Sequence, residues 1–146
     1  MIAVDTNVLV YAFHQGNPFH ERALACLRTL VEGTGSWAVP WPCVHEFLAI
    51  VTNPKIPPGP VPAALALRAV EAWMASPSLT LLSESGAHWP CLKALLSAGQ
   101  VQGGMVHDAR IAALCMQHGV RELWTADRDF GRFAGIKTVN PLVQPV

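Results

Sequence analysis

The chain has 146 residues, enough for one domain to bury its own core, and residues 1–146 are expected to form a single domain. Only 14% of its residues are charged, against ~25% in ordinary soluble chains, while 51% are apolar. A net charge of zero excludes a protein that holds nucleic acid by bulk charge, and the sparse charge points to surface covered by a second copy or a partner.

Ile2-Ala3-Val4 reads as a short buried strand that meets Asp5 at once, with no charged leader before it. Asp5 or Thr6 is placed to cap a helical turn through Val8 to Tyr11, which Asn17-Pro18 breaks. Apolar residues at helical spacing (Ala23, Leu24, Leu27, Leu30, Val31) predict a helix from His20 to Val31, stopped at Gly33 and Gly35. Trp37 to Val39 is a second strand, and Pro42 then opens a helix from Cys43 to Thr52 that Asn53-Pro54 closes. Five prolines between Pro54 and Pro62 make a rigid connecting loop. A helix from Ala63 to Ala75, a strand from Leu79 to Leu82 and a helix from Gly86 to Ala98 follow. Beyond a loop to Gly104, His107 to His118 is predicted helical and is stopped by Gly119. Glu122 to Thr125 and Lys137 to Val139 are the last strands, with at most a short helix from Asp129 to Phe133 between them. Short strands alternating with helices predict an α/β fold, a three-layer α-β-α sandwich around a mainly parallel five-stranded sheet.

The four cysteines show no C-x-x-C spacing and sit in apolar stretches, so buried reduced thiols in a reducing compartment are expected. No apolar run reaches the ~18 residues of a membrane span. A soluble cytoplasmic protein with no membrane partner is the expectation.

The acids are distributed unevenly. Asp5 is the only formal charge before Glu21, Asp108 the only one between Lys93 and Arg110, and Glu46 stands alone between Glu32 and Lys55. Asp127 and Asp129 lie directly after the fourth strand. Unpaired carboxylates in apolar surroundings cost several kcal/mol unless a charge partner or a metal answers them. In a parallel sheet Asp5 and Asp127 fall at C-terminal strand ends, where ligands bind at a topological switch point. Asp108, in the first turn of its helix, and Glu46, early in the helix after the second strand, can reach the same edge. Oxygen donors without histidine or cysteine favour Mg²⁺ or Mn²⁺ over zinc. Such a cluster suits phosphodiester hydrolysis, with Glu46 as a ligand or a base, Thr125 bonded to a ligand carboxylate and Asn7 orienting Asp5. A divalent ion would also leave Arg110, Arg128, Arg132 and Lys137 in excess around the site. Structural readings stand beside these. Asp5 and Asp108 suit helix N-caps, Thr125 to Asp129 suits a turn, Asp129 suits support of the Asp127 loop, and His107 suits a solvated histidine. The five tryptophans read as core or interface residues.

In their order and spacing, Val4-Asp5-Thr6-Asn7-Val8-Leu9, the Glu46 helix ending in Val51-Thr52-Asn53-Pro54, His107-Asp108-Ala109-Arg110-Ile111-Ala112 and Thr125-Ala126-Asp127-Arg128-Asp129-Phe130 resemble the PIN-domain family, specifically the VapC-type toxins of bacterial toxin–antitoxin systems. The resemblance implies an Mg²⁺- or Mn²⁺-dependent endoribonuclease, the toxin of a type II pair. It also implies a homodimer silenced by a small cognate antitoxin. It makes Asp5, Glu46, Asp108 and Asp127 the catalytic acids, with metal on Asp5, Asp108 and Asp127. Asn7, Thr125 and Asp129 are supporting residues, Asp129 at a position where members vary. The helices over 20–31, 43–52 and 63–75 would supply the dimer and antitoxin surfaces. The alternative is a catalytically inactive PIN-like protein with a regulatory or protein-binding task, against which the intact acid set speaks. A phosphatase of the haloacid-dehalogenase type would want an aspartate where Asn7 stands. A receiver domain would want a phosphoacceptor aspartate after a middle strand and a later lysine.

Overall fold

The computed structural model describes residues 1–143; the last three residues of the expected domain lie outside the described residues. Each strand is three or four residues long, and all but the last are mostly apolar: β1 (Ile2–Val4), β2 (Trp37–Pro40), β3 (Leu79–Leu82), β4 (Glu122–Trp124) and β5 (Lys137–Val139). All pairings are parallel and the order is β3-β2-β1-β4-β5. The sheet is therefore wholly parallel, where the sequence predicted a mainly parallel one. The central strands are buried on both faces, as a parallel sheet between helical layers requires.

Six helices join the strands: α1 (Thr6–Phe13), α2 (His20–Glu32), α3 (Trp41–Val51), α4 (Ala63–Met74), α5 (His88–Ala98) and α6 (Met105–Gln117). α1 packs on α2 and α3, and α3 on α4, while α5 packs on α6. Right-handed crossovers put the two groups on opposite faces of the sheet, giving the α-β-α sandwich. Asp5 caps α1, its carboxylate accepting the Thr6 N–H, so this helix starts one residue after the strand. Gly33 ends α2 because a Cβ there would come within 2.5 Å of the Thr29 carbonyl oxygen. α6 begins at Met105, two residues earlier than predicted, and Gly119 follows its end with φ +67°.

The core is continuous from Val4 and Leu9 through Trp37, Val39 and Phe47 to Leu114 and Leu123. Trp37 Nε1 donates to Ser76 Oγ at 3.1 Å, and among the described residues no buried side-chain nitrogen or oxygen lacks a partner. The four cysteines are free, as expected; Cys26, Cys43 and Cys115 are buried and Cys91 half-buried. No helix among the described residues is long and apolar enough to cross a membrane.

Strand order is what positions the site. From β1 the chain moves outward to β2 and β3, then crosses back through α5 and α6 to β4 on the other side of β1. The switch point thus lies between β1 and β4, where an open α/β sheet leaves a crevice beyond its strand ends.

Candidate active site

The β1/β4 register sets Val4 opposite Trp124, so Asp5 and Thr125 leave the sheet side by side. Asp5 N–H still donates to the Trp124 carbonyl at 2.9 Å, and Thr125 N–H to that of Val139 at 2.9 Å. The Thr125 hydroxyl donates to Asp5 Oδ2 at 2.8 Å and accepts the Asp127 N–H at 3.0 Å. Asn7 completes the clasp: its amide nitrogen donates to Asp5 Oδ2 at 3.1 Å, and its oxygen accepts the Ala126 N–H at 3.1 Å. The other Asp5 oxygen takes the Thr6 N–H at 2.8 Å and the Cys43 thiol at 3.6 Å. Asp5 is 4% exposed, and burial pushes its carboxyl up to about 6, against the pull of the Thr125 and Thr6 hydrogen bonds.

Glu46 is half-buried on α3, a turn and a half into the helix, so deeper in it than the sequence suggested. Its Oε2 accepts the Thr6 hydroxyl at 3.0 Å. Asp108 is the fourth residue of α6 and caps nothing, since Gly104 holds the N-cap. Its carboxyl is raised by burial first, then by Asp127, Asp129 and Glu46, with Arg132 opposing. Asp127 caps the short 3-10 helix Arg128–Arg132, its Oδ1 accepting the Asp129 N–H at 2.8 Å. The segment therefore forms the turn that the sequence allowed. His107 is exposed, away from these contacts.

A cleft of about 270 Å³ is lined by Asp5, Glu46, Asp108 and Asp127 together, with Thr6, Asn7 and Tyr11 among its other walls. All four expected acids thus meet. The tightest grouping is different: Asp108, Asp127 and Asp129 each offer an oxygen, and these atoms lie within 4.8 Å of one another. Asp129 joins this set and Asp5 stands outside it. Arg132 is the cation beside it, with Nε on the Asp129 carbonyl at 3.0 Å and a guanidinium nitrogen 3.9 Å from Asp129 Oδ1. One arginine against three carboxylates leaves the cluster negative, and an all-oxygen donor set of this kind fits a hard divalent cation.

Two contributors escaped the sequence reading. Thr6 was weighed only as a cap, yet its hydroxyl reaches Glu46, forty positions away. Cys43 was read as a buried thiol, yet it faces Asp5; its place three residues before Glu46 on one helical face was the available signal.

The geometry agrees with comparisons to known proteins. The family model of the PIN domain matches residues 2–136. Ribonuclease VapC48 of Mycobacterium tuberculosis is 31% identical over 137 residues, covering 94% of each chain. In fold, the chain resembles the solved M. tuberculosis VapC20, described as a sarcin-ricin-loop-cleaving toxin. The TM-score is 0.64 at 17% identity, over 94% of this chain and 99% of that one. It also resembles a chain of a toxin–antitoxin complex from Klebsiella pneumoniae, with a TM-score of 0.63 at 20% identity, over 97% of this chain and 98% of that one. A family match over most of the chain and a relative matched nearly end to end lead to one conclusion: this protein belongs to the PIN-domain family.

Proposed function

We propose that the protein is a divalent-metal-dependent endoribonuclease, a single nuclease domain acting as the toxin of a type II toxin–antitoxin pair. The observation that carries this is the set of carboxylate oxygens of Asp108, Asp127 and Asp129 within 4.8 Å of one another, in a cleft that Asp5 and Glu46 also line. The ribonuclease name of the relative and the toxins among the solved neighbours support the same reading. Asp108, Asp127 and Asp129 would hold Mg²⁺ or Mn²⁺, with Asp5 at the margin of the set. When bound, such an ion supplies the positive charge that offsets the phosphate and acidifies water.

The chain's own groups do the rest. Thr6 engages one oxygen of Glu46, and the other has no partner among the described residues, so Glu46 can take a proton from the attacking water. Thr125 and Asn7 hold Asp5 in a fixed rotamer and tie the Asp127 loop to it, which keeps the acids in register across two strands. The exposed apolar residues Phe19, Leu65, Leu67, Met74 and Trp89 suit a homodimer and a bound antitoxin. An apolar groove of about 160 Å³ between α1, α2 and α4, walled by Leu9, Phe13, Leu27 and Trp73, is the antitoxin surface on this reading. Cytoplasmic residence goes with that role.

The test is cleavage of total cellular RNA by purified, antitoxin-free protein with Mg²⁺ or Mn²⁺, with EDTA, and in the Asp108→Asn variant. Cleavage is expected only with metal and Asp108 both present. Intact RNA under every metal would move the protein to a binding role without catalysis.

A further inference from the structure

The cleft is not the only space that Asp127 walls. On its other flank lies a pocket of about 240 Å³, lined by Thr125, Asp127, Arg128, Thr138, Asn140 and Val143. Asp127 is common to both spaces, so a ligand reacting at the carboxylates has room on each side of it. The two sides differ in chemistry. The cleft presents Val10, Tyr11, Ile50 and Ile111 beside the acids and no basic side chain. The pocket presents an arginine, a hydroxyl and a carboxamide.

Of Arg110, Arg128, Arg132 and Lys137, the basic residues near the acids in sequence, Arg128 stands apart. Arg110 is taken by Glu84 at 2.7 Å, Arg132 by Asp129 at 3.9 Å and Lys137 by Glu122 at 3.3 Å. Arg128 is exposed and makes no ion pair or hydrogen bond among the described residues. Asn140 spends its oxygen on the Leu142 N–H at 3.0 Å, which leaves its NH₂ group free to donate. The Thr138 hydroxyl has no side-chain partner either and can both donate and accept.

We propose, resting on the ribonuclease reading of the cleft, that this pocket receives one of the two ribonucleotides that flank the scissile phosphate. Arg128 binds the phosphate on that nucleotide's far side, and Thr138 and Asn140 take its 2′-hydroxyl or base edge. The scissile phosphate of RNA carries a nucleotide on either side, and the two spaces meeting at Asp127 reproduce that division. A far-side phosphate needs a cation that no protein carboxylate already holds, and Arg128 meets that condition. With Arg110, Arg132 and Lys137 already ion-paired, Arg128 carries a measurable share of the phosphate contacts.

The experiment uses the full chain and a short single-stranded RNA of mixed sequence. Steady-state cleavage is followed in wild type, Arg128→Gln, Thr138→Val and Arg121→Gln, the last removing an equal charge from the exposed turn before β4, at the sheet edge opposite the acids. Binding is followed against salt in the same four proteins carrying Asp108→Asn. Arg128→Gln is expected to raise KM about tenfold with kcat and unfolding temperature unchanged. It should also lower the log–log salt slope by ~0.7, the share of one phosphate on a single strand. Thr138→Val should raise KM less and leave the slope alone, and Arg121→Gln should change neither. A wild-type KM and slope in Arg128→Gln, beside an active wild type, overturns the pocket. So does a fall in kcat at constant KM, or a loss confined to antitoxin binding. A wild type that neither cuts nor binds the RNA removes the reading of the cleft itself, and the pocket with it.

Discussion

Asp5 and Asp127 leave neighbouring strands and wall the same cleft, yet their surroundings are opposite. Asp5 is buried, and four donors from Thr6, Asn7, Cys43 and Thr125 occupy its two oxygens. Asp127, Asp108 and Asp129 are half-buried or exposed, crowd one another, and accept little from the protein beyond the Asp129 N–H on Asp127. One half of the site is a finished hydrogen-bonded structure and the other is an open set of like charges. Burial, then the charges of Asp127 and Asp129, hold the Asp108 carboxyl above its ordinary range, and such a set stays ionised cheaply only with a cation among it. Asp5 joins β1 to β4 and fixes the rim, and on the proposed function the outer three acids would take the ion.

The largest expected effect falls on the open half. Asp108→Asn should cut RNA cleavage by well over ~100-fold, beyond the 10–100-fold typical of a residue that only supports a ligand. It should also lose the thermal stabilisation by Mn²⁺, which for wild type is about 2.7 kcal/mol at a hundredfold excess over Kd. Differential scanning fluorimetry with and without the ion checks the second point. A variant that keeps both activity and metal stabilisation would move the ion off Asp108 and break the division proposed here.

The finished half predicts a pH effect in metal-free protein. Asp5 has its carboxyl raised in the fold from the ordinary 3.8 to about 6 by burial. A raised acid favours the fold when protonated, so its contribution is full below 3.8 and is lost as pH rises through about 6. The Asp5 contribution to unfolding free energy in EDTA should therefore rise on acidification from pH 7 to 5 by about 1.4 kcal/mol, part of at most roughly 3 kcal/mol reached below 3.8. Asp108 is also raised and adds with the same sign. Glu84 and Glu122 are lowered and act oppositely only as pH falls below 4.5, while His14, lowered by burial from 6.5, opposes Asp5 within this window. Asp5→Asn should flatten this rise, measured as urea midpoints at each pH. The slope is the readout, because an amide at position 5 would face donors on both sides and change absolute stability too. An unchanged slope would place the titration elsewhere.

The clasp between the halves comes next. Thr125→Val removes the hydroxyl that serves Asp5 and the Asp127 N–H at once, and should lower cleavage about 10–100-fold with metal stabilisation largely kept. Thr125→Ser should restore most of it. Equal loss in both variants would mean that the methyl packing matters and the hydroxyl does not.

How much of this was legible before the fold was known differs along the same line. Ile2-Ala3-Val4 declared its strand because the apolar run ends at Asp5, and the predicted strand Glu122 to Thr125 ends two residues before Asp127, so the strand-end placement of both acids could be read directly. The adjacency of β1 and β4 could not, since parallel pairing across some 120 positions leaves no local trace. Asp129 was read as support for its loop; only the 3-10 turn, a conformation with weak sequence preference, brings its oxygen beside that of Asp108. The basic residues were read as a common excess, and long-range pairs to Glu84 and Glu122 are what separated Arg128 from Arg110 and Lys137.

The smallest expected effect concerns where Glu46 belongs. It shares the cleft with the open acids, but the Thr6 hydroxyl at 3.0 Å ties it to the buried half through the residue next to Asp5. Thr6→Val keeps the shape of a 5%-exposed side chain and deletes that one bond. A hydrogen bond to a partly exposed carboxylate contributes about 1 kcal/mol net, so cleavage should fall about fivefold. Thr6→Ser should keep the bond and the rate, and both variants should unfold near the wild-type temperature. Equal rate loss in Thr6→Val and Thr6→Ser would make Thr6 a packing residue of α1 and return Glu46 to the open set.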